Sequence, residues 1–135
     1  MLILGHHLLA QNSNFCFIDE NKKLKKDQIS CFLYNEEIIQ NARNENLDFA
    51  VLIQDKNEIF LSNALGAKFL IFNDENLARF ASEVAEFYLF DSKILLLVEN
   101  LHKLEKAYEL RVDGVILKSL IQDYHKEKTI LDDNL

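Results

Sequence analysis

The chain has 135 residues, 49% hydrophobic and 27% charged, with 22 acidic against 15 basic side chains and a net charge of −7. An apolar share of that size fits one soluble globular domain and argues against a disordered tail. The acidic balance argues against a nucleic-acid binder, which must replace released counterions with Lys and Arg. The aliphatic run Ile94–Val98 is far shorter than the roughly 20 residues a membrane span needs.

Met1–Leu4 and Phe15–Ile18 are short apolar runs separated by the turn-like QNSN, which predicts either a hairpin or two further strands. The opening MLILGHHLLA carries no Lys/Arg-bearing leader, so a cytoplasmic location is expected. ENKKLKKDQ, with Lys22, Lys23, Lys25 and Lys26, reads as a solvated polar connection. These features make residues 1–29 an N-terminal section of the domain.

From residue 30 to 120 short apolar runs alternate with helical periodicity. Strands are predicted at Cys31–Tyr34, Phe49–Gln54, Lys68–Asn73, Lys93–Val98 and Gly114–Lys118. Their continuous apolar character is what strands buried on both faces of a parallel sheet require. Helices are predicted over Asn35–Asn44, Asp74–Tyr88 and Asn100–Leu110. Their core-facing stripes would be Ile38, Ile39 and Ala42; Leu77, Phe80, Ala81, Val84, Ala85 and Tyr88; and Leu101, Leu104, Ala107 and Tyr108. Asn35, Asp55, Asp74 and Asn100 stand where helix caps belong. The segment from Val51, VLIQDKNEIF…LGAKFLIFN, superposes without a gap on LLVENLHKLE…RVDGVILK from Leu96, which marks a repeated βα unit. Residues 121–135 form a charged tail that is expected to fray from Asp123 onward.

The scarce residue types narrow the chemistry. Cys16 and Cys31 lack a CxxC spacing and read as reduced, buried thiols. Proline is absent, and no structural demand accounts for it. Gly66 and Gly114 lie between a helical stretch and the next strand, the wrong end for a phosphate cradle. With no Walker loop and no GxGxxG, no nucleotide cofactor is expected. No serine stands in a GxSxG elbow, and nothing marks His102 or His125.

Ligands of parallel α/β sheets meet the carboxyl ends of the strands. That rule selects His6 and His7, Tyr34 with Asn35 and Glu36, Gln54 and Asp55, Asn73 and Asp74, Glu99, and Lys118 with Ser119. Lys118 could serve as base or Schiff-base amine, with Glu99 exchanging protons with it and His6 as a further acid or base. His6 and His7, as neighbours in a strand, would point to opposite faces.

The five-strand rhythm of Cys31–Leu120 resembles a response-regulator receiver domain. The resemblance implies a flavodoxin-like fold, with Glu36 as Mg²⁺ ligand and Lys118 as phosphate partner. Asn73 takes the phosphoacceptor place, Asp74 falls one residue late, and Glu99 stands where a switching hydroxyl would be, so such a relative would no longer take phosphate. Glu36 and Asp74 are thereby the metal candidates. NALGAKFLIF and AYELRVDGVILK resemble the helix, Gly-Ala, strand joints of phosphate-binding barrels, including ketodeoxygluconate phosphate type aldolases. Eight such units need about 250 residues, so only a partial barrel would fit.

The expected fold is thus a single α/β domain with a mainly parallel five- or six-stranded sheet, helices on both faces and a possible N-terminal hairpin; a partial (βα) barrel is the alternative. The expected role is a non-catalytic regulatory or protein-binding module, acting through a protein partner or by self-association, without nucleic acid or membrane. The rival is a small lyase- or aldolase-like enzyme built on Lys118 and Glu99.

Overall fold

Runs such as Phe49–Leu52 and Phe69–Phe72 offer no polar side to water, so they are stable only where both faces are covered. The computed structural model, which describes residues 1–9, 14–19 and 23–124, provides that cover with one sheet and four helices. The strands are β1 (Leu2–Leu4), β2 (Asn14–Phe17), β3 (Gln28–Leu33), β4 (Phe49–Leu52), β5 (Phe69–Phe72), β6 (Lys93–Val98), β7 (Gly114–Leu117) and β8 (Ile121–Gln122). The helices are α1 (Glu36–Asn44), α2 (Lys56–Ala64), α3 (Glu75–Tyr88) and α4 (Leu104–Leu110), with a 3₁₀ turn at Lys118–Leu120. Gln11, Asn12 and Ser13 of the QNSN turn, Lys22, and the tail with His125 lie outside the described residues.

The α/β class and the parallel sheet are as the sequence predicts, and the partial-barrel alternative is the arrangement observed. The sheet has eight strands in the order β1-β7-β6-β5-β4-β3-β2-β8, and each pairing is parallel. Three expectations need correction. Five or six strands become eight because β1, β2 and the two-residue β8 join the sheet. No hairpin forms at the N-terminus, since β1 pairs with β7 and β2 with β3 and β8. Among the described residues, the helices α1 to α4 pack on one face of the sheet rather than on both. From β2 to β7 the strands are neighbours in chain order, so successive right-handed crossovers return to the same side. Only a reversal of order would send a helix to the other side.

The two faces accordingly have different cores. Phe32, Val51, Leu70 and Leu96 pack against Ile39, Ile59, Ala81 and Ala107 from the helices. The opposite face, with Cys31, Leu52, Ile71 and Leu97, packs on other strand residues and on Leu120 and Tyr124, with no contribution from α1 to α4. A sheet can cover its own face only by curling. Phe15 of β2 and Phe69 of β5 have ring centroids 5.7 Å apart, although three strand spacings in a flat sheet would amount to roughly 14 Å. The connection from β7 to β8 makes the same demand. These strands stand six places apart in the order, roughly 29 Å in a flat sheet, yet only Lys118–Leu120 joins them, a reach of about 14 Å.

Gly66 and Gly114 stand at the end of α2 and at the start of β7. Gly66 has φ +94°, and its N–H and that of Ala67 donate to the carbonyls of Asn63 and Ser62, closing α2 with paired turn bonds. Gly114 is paired with Leu2, and a Cβ there would overlap the Leu2 carbonyl oxygen. Its missing side chain is what lets β1 lie against β7.

Candidate functional site

Because all strands run one way, the polar residues that follow them gather on a common rim. Much of that rim is engaged in holding the helices. Asn35, Asp55 and Asp74 cap α1, α2 and α3, their side-chain oxygens accepting from the N–H of Ile38, Glu58 and Leu77 at 3.0–3.1 Å. Asn100 is no helix cap: its Oδ1 accepts from the His102 N–H, and α4 starts four residues later at Leu104. Glu58 Oε1 accepts from the Gln54 N–H at 2.9 Å, and burial raises its carboxyl above the ordinary 4.5. The Tyr34 hydroxyl donates to Glu36 at 2.7 Å. Desolvation and the neighbouring Glu36 carboxylate push the phenol up to about 12.

Lys118 and Glu99 do meet. Lys118, 8% exposed, leaves the end of β7 and donates from Nζ to Glu99 Oε1 at 2.6 Å, while the Glu99 side chain is 61% exposed. β1 lies on the other flank of β7, with Leu4 opposite Ile116 and Gly5 against Leu117, so His6 belongs to the same edge. Its Nδ1 accepts from the Leu8 N–H at 3.1 Å. His6 and His7 do not point to opposite faces. They lie beyond β1 in a turn, where strand alternation no longer applies, and their rings stack with centroids 4.7 Å apart.

Other candidates stay apart. Glu36 follows β3 and Asp74 follows β5, with β4 between them, whereas a flavodoxin-like order makes the first and third strands neighbours. Among the described residues no three His, Cys, Asp or Glu side chains gather to hold a metal ion. Cys16 and Cys31 are buried and unbridged, on adjacent strands but in the two separate cores, with burial pushing the Cys31 thiol up. Tyr124 is buried and meets Phe17 edge-on, at 6.0 Å between centroids. A cavity of about 230 Å³ lies to one side, between the ends of β2 and β3 and the first turn of α1.

The opposite end of the molecule presents a surface that sequence reasoning missed. Phe87, Tyr88 and Leu89 are 78%, 64% and 85% exposed, and Tyr108 is 77% exposed. Tyr88 and Tyr108 are therefore not core residues, as their periodicity suggests. The 14 residues of α3 rise about 21 Å, whereas the four of β5 span about 13 Å, so the last helical turn outruns the sheet. In α4 the inward positions are held by Ala107 and Leu110. Two hollows share Arg111, one lined also by Glu86, Ser92 and Lys93, the other by Met1, Tyr108 and Glu109.

The chain matches no protein-family model and no curated protein. No described helix is long and apolar enough to cross a membrane.

Proposed function

We propose that the chain is a cytoplasmic, non-catalytic protein-binding module that meets its partner with the end of the molecule where α3 and α4 terminate. The observation that carries this reading is the exposed row Phe87–Tyr88–Leu89, with the Phe87 and Tyr88 rings in edge-on contact at 4.9 Å. Contiguous apolar surface of this kind costs solubility and marks interaction sites, and aromatic side chains supply much of the binding energy where proteins meet. The test compares tagged wild-type chain with a Phe87→Ser/Leu89→Ser variant as bait in native lysate. The reading expects a specific partner held by the first and lost by the second. A partner held equally by both, or no partner together with turnover in a substrate screen, contradicts it.

A second reading, a small enzyme of lyase or aldolase type, is favoured by the 2.6 Å contact of Lys118 with Glu99. Proton transfer to Glu99 would free the amine, which adds to an aldehyde or keto acid carbonyl; water leaves as the Schiff base forms. Borohydride reduction with such carbonyl compounds would fix the adduct on Lys118. A folded Lys118→Ala variant that keeps any turnover found would remove the lysine from the mechanism.

A further inference from the structure

We infer that the partner of the α3/α4 end is a second copy of this chain, paired about a two-fold axis through Phe87–Leu89 and Tyr108. The inference rests on the protein-binding reading and names its partner. Each chain carries a net charge of −7, so two copies repel over most of their surfaces. Around this end the signs are mixed: Lys93 and Arg111 line the same hollow as Glu86, and Glu109 lines the next. Asp113, which also lines both, is occupied, its Oδ2 accepting from the Ile94 N–H at 2.7 Å.

A patch that holds both signs suits a two-fold contact, in which the same residues meet in reverse and acid can face base. Arg111 extends from a left-handed residue at the end of α4, with φ +60°, and has no ion pair with any described residue. A copy related by the axis can offer it Glu86. The size also fits. Three aromatic rings and a leucine expose about 500 Å² of apolar surface, and a stable dimer needs about 800 Å² from each partner. The charged residues around both hollows supply the remainder as a polar rim.

The experiment is light scattering or sedimentation on the full chain from micromolar to millimolar concentration. Three further proteins go beside the wild type: Phe87→Ser/Leu89→Ser, Glu86→Arg, and Glu86→Arg with Arg111→Glu. The wild type should pass from one chain mass to two. The serine variant should stay at one mass with unchanged circular dichroism. Glu86→Arg should weaken pairing about tenfold, and the added Arg111→Glu should restore it. A wild type that remains at one mass throughout, or a serine variant that still pairs, overturns the inference. Wild type at one mass that still captures another protein through Phe87–Leu89 sinks the self-pairing alone; loss of that capture as well sinks the protein-binding reading with it.

Discussion

At Gly114 a single hydrogen atom decides whether an edge strand can dock. Alanine there would press on the Leu2 carbonyl, while alanine at Gly66 would meet nothing within 4 Å and suffer only from the left-handed backbone. Gly114→Ala should therefore lose about 1–3 kcal/mol and loosen β1, whereas Gly66→Ala should lose about 1 kcal/mol with β1 in place. Urea midpoints together with amide exchange at Ile3 and Leu4 separate the two outcomes. Glu58 gives a pH test. Its folded carboxyl lies above the ordinary value because burial disfavours the anion. The stability of its protonated form is thus complete below pH 4.5 and is lost as pH rises through the raised folded value. Glu58→Gln keeps an acceptor for the Gln54 N–H but cannot ionise. Its unfolding midpoint should decline less than that of the wild type between pH 4 and pH 7, and parallel curves would contradict the assignment.

The elements were legible in the sequence where local chemistry decides them. Lys93–Val98 is observed with its predicted bounds, and α1 and α3 start directly after the caps assigned to them. Asp74→Ala should consequently cost about 1 kcal/mol in thermal unfolding, and Asn100→Ala clearly less, because Asn100 bonds a turn outside α4. What the sequence could not show depends on lengths and on distant partners. The periodicity of α3 runs unbroken to Tyr88, but whether Tyr88 is buried depends on where the neighbouring strands stop. β8 is too short to carry any pattern, and its pairing with β2 follows from curling. The site was half legible: that Lys118 and Glu99 share a rim follows from parallel strands, whereas the apolar surface at the other end is hidden behind the regular stripe of an amphipathic helix.

For the whole molecule, the physics follows from one consequence of chain-ordered strands. The helices α1 to α4 fall on one side, and the sheet curls so that rings of β2 and β5 meet across its other face. A double-mutant cycle of Phe15→Leu and Phe69→Leu should give a coupling of about 0.5–1.5 kcal/mol, because the rings touch across three strand positions. A coupling near zero would mean an open, flatter sheet. At the other end of the molecule, Phe87, Tyr88 and Leu89 at the end of α3 and Tyr108 of α4 stand exposed. The most direct test of this account is an amide chemical-shift series recorded as the concentration of the full chain is raised. Shifts centred on Phe87–Leu89, Tyr108 and Arg111 are predicted; shifts centred on Lys118, Glu99 and His6, or no concentration dependence at all, would contradict it.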